Sequence, residues 1–439
     1  MLTHPLELWG GHECTVNRIG DVWRDQTRLS GHQDRIDDLD LFADLGLNTL
    51  RYPVLWERTE VSPGVFDWSW PDARMERLRD RGVKPILGLL HHGSGPSWTD
   101  LLDPDFPEKF AAFARAVARR YPWVDDWTPI NEPLTTARFS CLYGLWYPHL
   151  RSERDFWRAL GRQLAGVRSA MREIRAVNPA ARLVQTEDFG RTWGTGPCLD
   201  QAVYENRRRL AAWDGLTGRM TPDHPLMPDL RRLGVEGPFA SLADEPCPPQ
   251  VLGFNHYVTS DRFLDHRLEH YPSHAHGGNG ALAYADVEAV RIVDDLPKPW
   301  LDGFRLLWER YGIPIAATEC HLACTPGDQI EWLGACWSAA LAARAEGIPV
   351  LAVTPWALLG SYDWDSLLTA FGHAYEPGVF DLSSGTPKPT PLAALVRQLG
   401  RDGRATAEAG KVEGWWRSPD RLIYPAWSVG AASPRLGSP

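Results

Sequence analysis

The sequence lacks the features that would direct a protein to a membrane or to a nucleic acid. Its 439 residues contain no apolar run of about 18 or more, the length that a helix needs to cross a bilayer. The formal net charge is -10, and the basic residues form no long run beyond the three arginines at 207–209. Proteins that bind nucleic acid or anionic membranes usually carry a basic patch. We therefore expect neither as the main partner.

Cysteine is scarce, and its distribution argues against a disulfide framework. The odd number of cysteines, seven, are widely scattered: Cys14, Cys141, Cys198, Cys247, Cys320, Cys324 and Cys336. The first residues, 1–7, lack the basic and apolar regions of a signal peptide. We therefore expect reduced, mostly buried thiols in a cytoplasmic protein.

No glycine-rich phosphate loop is present, because neither G-x-G-x-x-G nor a Walker pattern occurs. A metal site is a weaker alternative, suggested by the close spacing of Cys320, His321 and Cys324. Structural zinc sites usually need a second pair of ligands, and this sequence offers none at matching spacing. We therefore predict neither a cofactor nor a metal.

Tryptophan, in contrast, is abundant, with 21 residues in the chain. Aromatic faces stack on the C–H faces of sugar rings, and the indole N–H can serve hydroxyl groups. Large hydrophobic cores also use tryptophan, so the composition alone leaves both explanations open. The abundance of tryptophan makes a small carbohydrate a candidate substrate. The sequence leaves the oligomeric state open.

Strand-like and helix-like segments alternate along most of the chain. The predicted strands are Leu6–Gly11, Asn48–Pro53, Lys84–Leu90, Trp127–Glu132, Arg182–Asp188, Val251–Val258, Ile313–Glu319 and Val350–Trp356. The predicted helices are Asp34–Leu45, Pro71–Arg81, Pro107–Tyr121, Glu153–Val177, Leu301–Tyr311, Gln329–Glu346 and Pro391–Leu399. This alternation predicts an α/β fold, a single (β/α)8 TIM barrel with extended βα loops over residues 1–400. A doubly wound sheet is the alternative, but it has no glycine loop to support it.

Three segments depart from a minimal barrel. Two long inserts, at about 190–249 and 267–295, are of the kind that shapes a binding cleft or moves. Residues 401–439 are predicted to form a C-terminal extension that packs on the barrel and is not a separate domain.

Polar residues lie where the predicted strands end, which is where chemistry occurs in such a barrel. Glu132 is held there by Pro133, which cannot donate a ladder hydrogen bond and so closes the fourth strand. The full set of strand-end residues is Glu13, Arg51, His91, Asn131, Glu132, Glu187, Asn255, Tyr257, Glu319 and Trp356, followed by Asp363 and Trp364. Carboxylates beside tryptophans suit hydrolysis of an acetal, which needs one carboxyl group as acid and another as nucleophile or base.

Four spaced motifs resemble the family 1 glycoside hydrolases, the β-glucosidases and their relatives. Asn131-Glu132-Pro133 is similar to the Asn-Glu-Pro acid/base motif of that family, and Thr318-Glu319 to the start of its Thr-Glu-Asn-Gly nucleophile motif. The segment 252–257 is similar to Leu-Gly-x-Asn-Tyr-Tyr, and 356–364 to the loop Trp-Ser-Leu-Leu-Asp-Asn-Phe-Glu-Trp. The segment 45–51 also follows the family's entry to strand two. The resemblance runs from about residue 6 to residue 400.

The resemblance implies a retaining glycosidase with Glu132 as general acid/base and Glu319 as nucleophile. It further implies that Asn131 contacts the 2-hydroxyl of the sugar, while Arg51 and Tyr257 keep the nucleophile ionised and oriented. The residues that would bind the substrate are Glu13, His91, Asn131, Trp356, Asp363 and Trp364, and those that would support the nucleophile are Arg51, Asn255 and Tyr257.

The sequence departs from the family at positions that hold the sugar. Cys320-His321 follow the nucleophile where the family has Asn-Gly, Asp363 replaces a glutamate, and the first strand has a different pattern around Glu13. The resemblance therefore predicts the chemistry better than the sugar.

The sequence leaves three alternatives open. Glu187 and Asp188 could replace Glu319 as the catalytic carboxylate, and residues 92–95 have the composition of an oxyanion loop but no G-x-S-x-G elbow accompanies them. A catalytically silent barrel that binds sugar or a partner protein is the alternative from another class, because a fold alone does not fix function.

Overall fold

Eight parallel strands form a closed ring in the computed structural model, which describes residues 4–295, 298–403 and 414–428. The ring strands are β1 (Glu7–Leu8 and Gly10–Gly11), β2 (Thr49–Pro53), β3 (Lys84–His91), β4 (Asp126–Asn131), β5 (Arg182–Asp188), β6 (Val251–His256), β7 (Ile315–Cys320) and β8 (Val350–Pro355). The two parts of β1 close the ring, since Leu8 pairs with Val353 on β8 and Gly11 pairs with Arg51 on β2. The predicted TIM barrel is confirmed.

The inside of the barrel is packed with side chains. A separate apolar cluster fills its interior, formed by Trp9 between the two parts of β1 and by one residue from each of five other strands: Ile86, Val184, Val251, Ala316 and Ala352. A much larger cluster lies between the strands and the helices around them. Because both faces of each strand are covered, the strands are nearly continuously apolar, as parallel barrels require. The packed interior leaves the polar strand ends as the accessible part of the barrel.

The outer helices lie close to their predicted positions. They are Asp38–Ala43, Ser69–Asp80, Phe106–Arg120, Glu153–Val177, Pro299–Tyr311, Pro326–Ala345 and Pro391–Asp402. The hydroxyl groups of Ser152 and Thr325 accept the backbone N–H of Asp155 and Asp328, respectively, so both residues cap their helices. Proline occupies one of the first two positions of four of these helices, those beginning at residues 106, 299, 326 and 391.

The first insert is largely helical, which its sequence did not reveal to us. It contains the helices Leu199–Arg209, Ala211–Leu216, Met227–Leu233 and Gly237–Asp244. Asp214 anchors it to the barrel, because its buried carboxylate accepts hydrogen bonds from Arg310 at 2.7 and 2.9 Å and from Tyr311 at 2.9 Å. The strand Thr192–Gly194 joins Arg262–Asp265, Ala283–Glu288 and His276–Gly278 in a four-stranded sheet.

Short elements follow several strands at the carboxyl end of the barrel. They are the hairpins Val16–Ile19 with Val22–Asp25, Glu60–Ser62 with Val65–Phe66 and Ser361–Tyr362 with Tyr375–Glu376, and the helices Gln26–Leu29, Trp56–Thr59 and Pro133–Ala137. Phe380–Asp381 pairs with Lys388–Pro389. Among the described residues, no helix combines the length and the apolar character that crossing a membrane would need.

The described part of the C-terminal extension contacts the rest of the chain. Trp416 packs edge-on against Trp332, with 5.1 Å between ring centroids. The guanidinium of Arg421 donates to the carbonyls of Val290 and Val293, both at 2.7 Å. Much of the predicted extension, at 404–413 and 429–439, lies outside the described residues, so the division into barrel and extension stays a prediction.

Close packing between β6 and the helix that contains Gly303 predicts that a larger side chain at this position lowers the stability of the protein. A Cβ at Gly303 would lie 2.5 Å from the ring of Phe254, whereas one at Gly237 would meet nothing within 4 Å. We expect Gly303→Ala to lower the free energy of unfolding by about 1–3 kcal/mol, because overpacking shifts a buried ring. Gly237→Ala is the matched control and should change it by less than about 1 kcal/mol. Urea unfolding checks both, and equal stabilities would contradict the packing argument.

Candidate active site

Five of the strand-end residues predicted from the sequence join in one hydrogen-bonded group: Arg51, His91, Asn131, Tyr257 and Glu319. Asn131 at the end of β4 pairs in register with His91 at the end of β3, and Asn255 on β6 pairs with Glu319 on β7. The sheet register therefore brings polar side chains from four strands to the same level. Glu132, which follows β4, has a left-handed backbone with φ 43°.

Glu319 is a buried carboxylate with two donors. Its Oε1 accepts from Nη1 of Arg51 at 2.8 Å, and its Oε2 accepts from the hydroxyl of Tyr257 at 2.5 Å. Burial raises the pKa of Glu319, while the charge of Arg51 and the hydroxyl of Tyr257 oppose that rise. Both donors favour the ionised form, which is the form a nucleophile needs.

Glu132 lies in the opposite electrostatic environment. Its Oε1 accepts from Nδ2 of Asn255 at 2.6 Å, and the orientation of that amide is fixed because Thr318 donates to its oxygen at 2.6 Å. Burial raises the pKa of Glu132 well above its usual range, and the negative charge of Glu319 raises it further. Among the described residues, no arginine or lysine pairs with Glu132 within 4 Å, and the basic group nearest to it is a histidine side chain. Of the two carboxyl groups, that of Glu132 therefore binds a proton more tightly.

Asn131 connects the two halves of the site. Its Oδ1 accepts from Nη2 of Arg51 and from the hydroxyl of Thr186, both at 2.7 Å. These two donors identify the oxygen, so Nδ2 points towards Nε2 of His91 at 3.2 Å. The amide is thus held rigidly beside Glu132.

Trp356 forms an aromatic wall of the site. Its ring stacks on His91 with 5.7 Å between centroids and 6° between planes, and Arg51 lies 4.7 Å from its centroid. Its Nε1 donates to Oε2 of Glu13 at 3.2 Å. The peptide bond between Trp356 and Ala357 is cis. Burial lowers the pKa of His91 well below its usual value, so this imidazole is neutral.

Asp363 and Trp364 are at the mouth, but the carboxylate of Asp363 is already engaged. Its Oδ1 accepts the backbone N–H of Ala374 at 2.8 Å, and its Oδ2 accepts from the guanidinium of Arg24. Trp364 lies against the ring of His92, with 5.6 Å between centroids. Sequence reasoning missed Arg24, because it lies in a hairpin without a motif.

The alternative residues are placed less favourably. Glu187 is completely buried, and its Oε1 accepts the backbone N–H of Leu134 at 3.0 Å. It is therefore part of the support beneath the strand ends. In the ranges that the structure describes, no group of three or more His, Cys, Asp or Glu is arranged to hold a metal ion.

Comparisons with known proteins identify the fold. No protein-family model matches the chain. A stretch of 159 residues is 26% identical to a "probable inactive beta-glucosidase 14" of Oryza sativa subsp. japonica and covers 34% of this chain and 31% of that protein. Another, of 195 residues, is 23% identical to a 6-phospho-β-glucosidase of Dickeya chrysanthemi and covers 41% and 40% of the two chains. The chain spans less than half the length of each of these relatives.

Solved structures match over nearly the full length. The family 1 β-glucosidase from Thermotoga maritima has a TM-score of 0.70 at 16% identity, covering 90% of this chain and 97% of that one. Its complex with cyclophellitol has a TM-score of 0.68 at 16% identity, covering 91% and 98%. The chain shares its fold with family 1 β-glucosidases. At this level of identity, the likeness concerns the fold, and the roles of individual residues rest on the geometry above.

Glu13 provides a test of the electrostatics at the mouth. Burial raises its pKa from the usual 4.5 to about 7, so the folded protein binds a proton there that the unfolded chain releases. The free energy of unfolding should therefore fall as the pH rises from 4.5 to 7, relative to that of Glu13→Gln, by on the order of 3 kcal/mol. Denaturant titrations of both proteins across this range check it. A constant difference would contradict the raised pKa.

Proposed function

We propose that this protein is a retaining β-glycosidase that hydrolyses the O-glycosidic bond of a small β-glycoside. The observation that carries the proposal is the pair of buried carboxyl groups at the ends of β4 and β7. Glu319 has two donors that favour its ionised form, whereas burial and a neighbouring negative charge favour the protonated form of Glu132. Two carboxyl groups with opposite protonation states are what double displacement requires.

In the first half-reaction, an oxygen of Glu319 attacks the anomeric carbon. The bond between that carbon and the glycosidic oxygen breaks, and Glu132 gives its proton to the departing oxygen. Arg51 and Tyr257 hold the attacking carboxylate in place, so less motion is needed to reach the transition state.

In the second half-reaction, water displaces Glu319 from the sugar. Glu132, now ionised, takes a proton from this water and returns to its starting state. The changing charge on Glu319 explains how one residue can serve both as acid and as base, because the neighbouring negative charge disappears while the sugar is attached. The anomeric configuration is retained after two inversions.

The sugar would be held by side chains around these two groups. Asn131, which accepts a hydrogen bond from Arg51, would contact the 2-hydroxyl, and Trp356 would offer an aromatic face with His91 stacked behind it. Glu13, Trp364 and Asp363 complete the set of proposed contacts, and Asn255 orients the acid/base residue. For Asp363, such a contact requires an arrangement in which its bond to Arg24 is shared or exchanged.

The comparisons support this proposal without defining the sugar. Relatives named β-glucosidase and 6-phospho-β-glucosidase both occur, and one relative is named as probably inactive. A silent sugar-binding barrel would not need Arg51, Tyr257 and Asn255 around two carboxyl groups. We further propose a cytoplasmic location and a small carbohydrate substrate, with no nucleic acid or membrane partner.

Chemical rescue tests the nucleophile. We expect Glu319→Gly to lower the hydrolysis of a 2,4-dinitrophenyl β-glycoside by about 1,000-fold or more, because no group remains to attack the anomeric carbon. Azide should restore turnover and yield the α-glycosyl azide, detected by NMR. A panel of aryl β-glycosides first identifies the preferred sugar.

The control for this variant is Glu187→Gln, which replaces the neighbouring carboxyl group and keeps an acceptor for Leu134. It should retain most of the activity. Persistent activity in Glu319→Gly, or rescue in the Glu187 variant instead, would contradict the assignment.

Leaving groups test the acid/base residue. Glu132→Gln should reduce kcat/KM for a phenyl glycoside by about 100-fold or more, and much less for a 2,4-dinitrophenyl glycoside, whose departure needs no proton. In the wild type, activity should fall as the pH rises through the raised pKa of Glu132, because the carboxylate form cannot donate a proton. Steady-state rates across pH check both points. An alkaline limb that persists unchanged in the variant would contradict the assignment.

A further inference from the structure

His92 lies beside the proposed acid/base residue and has no part in the mechanism described above. Its Nε2 is 3.7 Å from Oε2 of Glu132, and each side chain is only 4% exposed. Its ring also packs against both Trp146 and Trp364, at 5.2 and 5.6 Å between centroids. The question is whether this histidine only fills space or acts on Glu132.

The backbone directs both side chains to the same place. His92 follows the end of β3, and Glu132 follows the end of the adjacent strand β4. Both residues have left-handed backbones, with φ 56° and 43°. Residues other than glycine adopt this conformation rarely and at a cost of about 1–3 kcal/mol. Such strain at consecutive strand ends is typical of functional sites and is maintained here by the surrounding packing.

The hydrogen bonds of Asn131 identify the tautomer of His92. Because Oδ1 of Asn131 accepts from Arg51 and Thr186, its Nδ2 is a donor, and this donor faces Nε2 of His92 at 3.5 Å. Nε2 therefore carries a lone pair. The hydrogen is on Nδ1, which lies 3.0 Å from the hydroxyl of Thr136. The ring nitrogen that lies 3.7 Å from Oε2 of Glu132 is thus the one without a hydrogen.

We propose that His92 is a positioning residue for the acid/base group, whose lone pair keeps the proton of Glu132 on Oε2. The inference rests on the proposed glycosidase function. Asn255 donates to Oε1, so that oxygen is disfavoured as the site of the proton. The partial negative charge of Nε2 favours a proton on the other oxygen. Together they give the carboxyl group one defined protonated form.

The distance explains why the proton stays available. At 3.7 Å, the contact between Nε2 and Oε2 is too long for a hydrogen bond. His92 therefore biases the position of the proton without holding it strongly. The proton passes from Glu132 to the leaving oxygen, and later from water back to Glu132, so His92 neither gains nor loses one.

His92 stays neutral in this environment. Burial lowers its pKa to about 3, the charge of Arg51 lowers it as well, and Asp188 opposes them. Asp188 itself lies near two arginines, at 3.7 Å from Arg138 and 3.8 Å from Arg209. Around Glu132, the acidic neighbours that raise its pKa are Glu319, Asp188 and Glu187. These carboxylates also disfavour ionisation of Glu132, so the contribution of His92 must be measured against theirs.

Two variants separate positioning from packing. His92→Phe keeps a ring against Trp146 and Trp364 but has no lone pair, and His92→Gln offers an N–H that would favour the carboxylate. We expect kcat for a phenyl glycoside to fall about tenfold or more in both, with KM little changed. The kcat for a 2,4-dinitrophenyl glycoside should stay within about threefold of the wild-type value. In His92→Gln, the alkaline limb should also move to lower pH.

The matched control is His149→Gln. His149 also has a left-handed backbone, with φ 61°, but it is exposed and accepts the backbone N–H of Gly20 at 2.9 Å. The His149→Gln variant should leave the dependence of kcat on the leaving group unchanged. Equal losses for both substrates in the His92 variants, or no loss at all, would overturn the positioning role and leave a packing role.

NMR of the wild-type protein with 15N-labelled histidine tests the contact without relying on turnover. We expect the Nδ1–H tautomer of His92 between pH 5 and 8, as deduced from Asn131, and an Nε2 resonance that moves as Glu132 titrates. The movement should be absent in Glu132→Gln. The Nε2–H tautomer, or an Nε2 resonance that does not respond, would overturn the inference. If the wild type hydrolyses no glycoside, the proposed function fails, and the NMR result still shows whether His92 faces the proton of Glu132.

Discussion

The site depends on one buried guanidinium, that of Arg51, which connects the ends of β2, β4 and β7. It donates to Glu319, to the backbone carbonyl of Thr318 and to Asn131 at 2.7–2.8 Å. These contacts give the nucleophile candidate its counter-charge and fix the amide beside the acid candidate. A buried carboxylate without such a partner would take up a proton, since desolvation disfavours its charge. The different protonation states of the two glutamates therefore originate in the position of this arginine.

Much of the fold was predictable because a parallel barrel has a strong sequence pattern. Buried strands such as Lys84–His91 alternate with amphipathic helices such as Glu153–Val177, and proline or glycine marks several of the ends. The structure of the first insert was harder to predict from the sequence. Its helices are short, and contacts such as the anchoring of Asp214 by Arg310 join residues 96 positions apart. Local periodicity contains little information about contacts of that kind.

The candidate site likewise contains some residues that were predictable from the sequence and some that were not. Asn131 and Glu132 were predictable, because a strand that ends at proline must place them at the mouth. Arg24 was not, because its bond to Asp363 depends on how a hairpin after β1 folds against the loop after β8. His92 was visible only as one of two adjacent histidines, and its meaning came from the backbone angle that turns it towards Glu132. Sequence motifs thus identified groups fixed by strand ends, and missed groups fixed by loops.

The charge balance of the mouth follows from these contacts. Arg51 pairs with Glu319, burial raises the pKa of Glu132 well above its usual range, and the pKa of Glu13 is raised to about 7. These contacts reduce the net negative charge of the mouth near neutral pH, where four carboxyl groups lie, including that of Asp363 paired with Arg24. A neutral imidazole at His92 fits this balance better than a cation would, because a second positive charge beside Glu132 would stabilise its carboxylate and remove the acid. Under the proposed mechanism, the burial that keeps His92 uncharged would be a condition for general acid catalysis by Glu132.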